Sequence, residues 1–154
     1  MSRTIEVVSH VPGFVWSDDA LRRFFAVLDA HPIGQDIPPG TLAIAFVSPE
    51  ESARLHGEFF DDPTPTDIMT FPGDEDEDHA GDLAICPTVA LESARQHETP
   101  FSEEIALYLI HGCLHLAGRD DRTPADTARM RADETTLLLA VRTAQALPPF
   151  TLQP

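Results

Sequence analysis

Ile110-His111-Gly112-Cys113-Leu114-His115-Leu116-Ala117-Gly118-Arg119-Asp120-Asp121 is the stretch that decides how this chain folds. With Ile105-Ala106-Leu107-Tyr108-Leu109 ahead of it, the run is apolar on nearly every face of a helix. A helix of that kind is buried rather than laid on a surface. His111 and His115 stand at i and i+4, so both imidazoles project from one face, a turn apart. Gly118 supplies a residue that adopts the left-handed conformation without a Cβ penalty, where a helix readily stops. The chain can turn back there and bring Asp121 up to the two imidazoles.

Two histidines one turn apart plus a later carboxylate are what an open zinc site needs: three protein ligands and a fourth place for water. The alternative is a pair of core histidines satisfied by backbone carbonyls. It requires partners for both rings, at a few kcal/mol each where unmet. Asp120 is an alternative donor to Asp121. Two histidines and a carboxylate admit iron(II) or manganese as well as zinc. Gly112 occupies the place where a zinc protease of the HExxH type carries its glutamate base, which speaks against peptide hydrolysis by that route.

Working outward, Thr4 to Val8 alternates like a strand, and Leu42 to Val47 is an unbroken apolar run suited to a central strand buried on both faces. Ile68 to Phe71 and Leu83 to Cys86 read as two more strands. Ser17, Ser48-Pro49 and Thr123-Pro124 each open a helix, and Gly57 is expected to end the second. A helix spans Thr88 to Gln96, the metal helix about Ser102 to Ala117, and the last helix packs through Leu137 to Val141. The acidic stretch Gly73 to His79 is a solvated hairpin tip. It lacks the glycine and terminal glutamate of a calcium loop. The order predicts one α+β domain over residues 1–154, with a mixed, mostly parallel four-stranded sheet against about five helices and a metal site on a buried helix.

Composition narrows the function. The 154 residues carry a net charge of −16, and all ten basic residues are arginine. Such a chain repels polyanions at long range and disfavours tight, nonspecific binding to naked nucleic acid. Arg119, Arg122, Arg129 and Arg131 gather within and just after the proposed metal loop, either as phosphate clamps or as solvated helix residues. No run approaches the roughly 18 apolar residues of a membrane helix. Cys86 and Cys113 are too few for a disulfide framework, and the N-terminus lacks a signal pattern. Both point to a cytoplasmic protein with reduced thiols.

His111-Gly112-x-Leu114-His115-Leu116-x-Gly118-x-Asp120 resembles the signature of the YbeY family, the metal-dependent endoribonucleases of bacterial ribosomal RNA maturation. Pro65-Thr66-Asp67-Ile68-Met69-Thr70-Phe71-Pro72 is similar to that family's PTDVLSFP, and Gly81-Asp82-Leu83-Ala84-Ile85 to its GDI strand. The resemblance implies a single-strand endoribonuclease that binds one Zn2+ through His111, His115 and Asp121. It further implies partners in ribosomal RNA and ribosomal particles, with no DNA and no membrane. Two positions depart from the pattern. Asp121 stands where the family normally has a third histidine. Phe59-Phe60-Asp61-Asp62-Pro63 replaces a YRxKD stretch, so Phe60 takes the place of an active-site arginine. Arg119 or Arg122 is expected to supply the lost charge. A ribosome-assembly factor with a structural metal, or a zinc hydrolase of a smaller substrate, are the competing readings.

Overall fold

Residues 3–153 are described by a computed structural model. The N-terminal reading above falls partly on Met1 and Ser2, outside the described residues. The chain runs β1 (Ile5–Ser9), β2 (Phe14–Val15), α1 (Asp18–Ala30), β3 (Thr41–Phe46), α2 (Pro49–Phe60), β4 (Ile68–Asp74), β5 (His79–Ile85), α3 (Pro87–His97), α4 (Phe101–Leu116), α5 (Pro124–Thr143) and β6 (Thr151–Leu152).

Local chemistry sets the helix starts. Ser17 Oγ accepts the Ala20 N–H at 3.2 Å, Ser48 Oγ the Glu51 N–H at 3.1 Å, and Thr123 Oγ1 the Asp126 N–H at 3.1 Å. Each such cap contributes about 1 kcal/mol. One expected stop is corrected. α2 continues through Gly57 to Phe60 and ends at Asp61, which takes the left-handed conformation at φ 57°. Gly57 serves packing instead: a Cβ there would lie 3.3 Å from the Pro63 backbone, so its absence lets the following loop fold against the helix.

The four main strands form a sheet in the order β1-β3-β5-β4, with β1, β3 and β5 parallel and β4 antiparallel to β5. This is the mixed, mostly parallel α+β architecture expected. Two-residue strands β2 and β6 pair antiparallel beside it and are too short for a periodic signal. β5 also starts earlier than expected, at His79 rather than Leu83, so Asp82 lies inside the strand.

Leu42, Ile44 and Phe46 of β3 are buried with Leu83 and Ile85 of β5 in a core that α1, α3, α4 and α5 complete. The expectation that β3 is buried on both faces is corrected. Its residues alternate, and Ala43 and Ala45 are only half-buried, in an open groove shared with Val8 and with Leu55 of α2. Small side chains suit that thinly covered face.

α4 is the spine. Ile105, Leu109, Ile110, Cys113 and Leu114 are fully buried. Gly112 faces the sheet so closely that a Cβ would meet Ile68 Cδ1 at 2.7 Å and Leu83 Cδ2 at 2.8 Å. The position that would carry a protease's glutamate is a contact point with β4 and β5. No helix among the described residues is long and apolar enough to cross a membrane.

Candidate metal centre and its cleft

α4 ends in a Schellman motif. The Arg119 N–H reaches Leu114 O at 2.9 Å and the Gly118 N–H reaches His115 O at 3.0 Å, with Gly118 at φ 91°. That reversal carries the chain back over the last turn of the helix. It sets Asp121 Oδ2 3.8 Å from His111 Nε2 and 3.7 Å from His115 Nε2, and the two Nε2 atoms are 3.0 Å apart. A tetrahedral ion bound at roughly 2.0–2.1 Å needs ligand atoms about 3.3–3.4 Å apart. The triangle brackets that value, and these three residues form a group able to hold a metal.

Hydrogen-bond chemistry supports the same conclusion independently. His115 Nδ1 faces the Arg119 carbonyl at 3.1 Å, and a carbonyl only accepts, so Nδ1 carries the hydrogen. His111 Nδ1 faces Glu134 Oε2 at 2.6 Å and likewise donates. In the neutral rings both Nε2 atoms are therefore lone pairs, and they converge with a carboxylate oxygen. Three lone pairs at this separation repel unless a cation lies among them. The donor set fits a divalent transition metal.

Glu134, from α5, is the residue that sequence reasoning missed. Its carboxylate holds His111 above the ordinary imidazole pKa, against the lowering effect of burial. A carboxylate behind a ligating histidine fixes the ring and strengthens it as a ligand. A signal existed. Glu134 falls four residues after Met130 and three before Leu137, both buried, so an acid occupies the helix's apolar stripe.

The three candidate ligands border a cleft of about 470 Å³, lined also by His56, Phe60, Asp67 and Leu116. A second cavity of about 210 Å³ lies on the other side of His111, between α4 and α5, and shares Asp67, Ile68 and Asp121 with the first. Asp67 makes a turn contact: its Oδ1 accepts the Ile68 N–H at 2.7 Å and the Thr66 hydroxyl at 3.3 Å. Asp82 lies on the sheet's open groove, bonded to His79 Nε2 at 2.9 Å.

The structure does not bring the two expected arginines into either cavity. Arg119 turns away, with Nε on Asp133 at 3.2 Å and an Nη on Asp36 at 3.0 Å. Arg122 is exposed beside Asp120 at 3.3 Å. Phe60 does line the cleft, half-exposed, its ring 5.7 Å from that of His56 and 6.0 Å from that of Phe71.

Comparison with known proteins places the chain in a family. The family described as Endoribonuclease YbeY matches residues 16–142. A protein of that name from Protochlamydia amoebophila is 42% identical over 95 residues, covering 59% of this chain and 63% of the relative. Another from Kineococcus radiotolerans is 31% identical over 146 residues, covering 88% and 75%. The solution structure of TM1509 from Thermotoga maritima superposes with a TM-score of 0.63 at 26% identity, covering 93% of this chain and 95% of that one. The buried helix with its paired histidines, the sheet beneath it and the matched length together make this chain a member of the YbeY endoribonuclease family.

Proposed function

We propose that this endoribonuclease cleaves single-stranded RNA in ribosomal RNA maturation, with one zinc ion per chain held by His111, His115 and Asp121. The observation that carries the reading is the convergence of two imidazole lone pairs and a carboxylate oxygen on the wall of an open cleft. Those three residues would hold the ion, which would supply an acidified water and a Lewis acid for a phosphoryl oxygen. The chain's own residues do the rest. Glu134 and the Arg119 carbonyl fix the two rings before substrate arrives, so the site needs little reorganisation during the reaction. Asp67 commits one oxygen to its turn and leaves the other for water or a proton in the cleft.

Phe60 supports the single-strand preference. Its exposed face beside the candidate ligands offers a stacking surface to an unpaired base, and such contacts contribute about 1–3 kcal/mol each. A duplex hides its bases and gains nothing from that surface. Two buried, unpaired cysteines fit a cytoplasmic setting among ribosomal particles.

One observation favours a second reading. No arginine or lysine lines the larger cavity, which suits an RNA-binding assembly factor that keeps its metal for stability. The deciding experiment is cleavage of a single-stranded RNA by protein stripped with a chelator and reloaded with zinc. Activity that disappears on stripping and returns with zinc is expected. Binding without cleavage under both conditions would overturn the enzymatic reading in favour of the assembly factor.

A further inference from the structure

Phosphodiester cleavage needs positive charge near the phosphate, and no arginine or lysine lines the cleft beside the three candidate ligands. We propose that Arg131 binds a substrate phosphate beside the metal ligands and is this chain's own source of that charge. The inference rests on the endoribonuclease reading above.

Arg131 is placed by helix geometry. Thr127, Arg131 and Glu134 lie on one face of α5, spaced by four and three residues. Thr127 Oγ1 donates to the Asp121 carbonyl at 3.1 Å, and Glu134 accepts from His111 at 2.6 Å. Arg131 therefore stands between two residues that each touch a candidate ligand. It lines the smaller cavity together with His111 and Asp121, and no other arginine or lysine lines either cavity.

Arg131 is also uncommitted. Its side chain is exposed and makes no ion pair among the described residues, whereas Arg3, Arg54, Arg119, Arg122 and Arg142 all face carboxylates. The acid one turn away, Glu134, is already bonded to His111. In a chain of net charge −16, a guanidinium left unpaired beside the site is available to an incoming anion. The charges explain why one is needed. The carboxylates of Asp67, Asp121 and Glu134 exceed a divalent ion by one unit, so a phosphodiester would approach a site of its own sign. Arg131 cancels that unit, and its planar fork matches two phosphate oxygens.

The test compares zinc-loaded parent, R131A, R131K and R131E on one single-stranded RNA oligonucleotide, in both cleavage and binding, across a salt series. Arg131 is exposed, so melting temperature and zinc content should stay at parent values. R131A should lower kcat/KM about 10- to 100-fold, R131K should recover part of it, and R131E should fall below R131A. The slope of log affinity against log salt should flatten by about 0.7, the share of one phosphate on a single strand. A parent that cleaves RNA, with R131A matching it in both rate and salt slope, overturns the inference. A parent that binds but does not cleave overturns the enzymatic reading instead. The binding slope then still decides whether Arg131 meets a phosphate.

Discussion

The two walls of the cleft are built differently. On the α4–α5 wall the candidate ligands are about three-quarters buried at the histidines, and each ring is anchored through its second nitrogen. The α2–β4 wall is the last turn of α2 with the exposed loop after it, held by their own short bonds. His56 Nδ1 donates to the Thr64 carbonyl at 2.8 Å, and the Thr64 hydroxyl reaches Asp62 at 2.6 Å. Phe59 and Phe60 project from it more than half or half exposed. A loop that carries its own scaffold can change its outward side chains without disturbing the metal wall. The difference separates the wall that carries the candidate ligands from the wall that carries exposed aromatic rings.

That separation can be broken most directly at the ligands. His115→Ala and Asp121→Ala should each abolish stoichiometric zinc and RNA cleavage, as read by elemental analysis and a cleavage assay. Full zinc in Asp121→Ala would move the third ligand elsewhere. Next in size, Glu134→Gln should weaken zinc affinity about 10- to 100-fold with the fold intact, measured by competition with a chelator. Unchanged affinity would reduce Glu134 to a packing residue. On the other wall, Phe60→Ala should weaken single-stranded RNA binding about 5- to 100-fold while leaving zinc content alone. Loss of zinc in that variant would mean that the walls are coupled.

Smaller effects sharpen the same contrast in stability. Gly112→Ala drives a methyl into Ile68 and Leu83, a cost of about 1–3 kcal/mol for overpacking, offset by about 1 kcal/mol of better helix propensity. A net loss of about 1 kcal/mol in denaturant unfolding is expected. A gain would show that the α4–sheet contact is loose. Least of all is the outer face. The bond to Asp82 raises the His79 pKa above its ordinary value. The stabilisation is then full below about pH 6.5 and is lost as pH rises through the folded-state value. His79→Asn should lower the melting temperature at about pH 5.5 and leave it unchanged at about pH 9. Equal loss at both would show that charge is not the cause.

The fold was legible wherever one segment carried its own signal. α4 announced itself by continuous apolarity, Gly118 by its place after the last apolar turn, and the helix starts by Ser17, Ser48 and Thr123. What escaped depends on distant partners. Gly57 looks like a stop until Pro63 is seen packed on it. β3 looks doubly buried until one of its faces is seen to be only thinly covered. At the site, the histidines and Asp121 lie close enough in sequence to be read together. Glu134 does not, since its meaning appears only when α5 folds back onto His111. Arg119 and Arg122 are near Asp121 in sequence but are drawn away by Asp36, Asp133 and Asp120, which the local sequence does not rank.

The metal wall has a consequence for the order in which the protein assembles. Its most distant pair, His111 and Glu134, are only 23 residues apart, so closing α4 onto α5 costs little chain entropy. The opposite wall arrives with the local β4–β5 hairpin, which joins the sheet only through the parallel pairing of β5 to β3, from Thr41 with His79 to Phe46 with Ile85. The loop that brings α5 to His111 is thus shorter than the one that seats the opposite wall in the sheet.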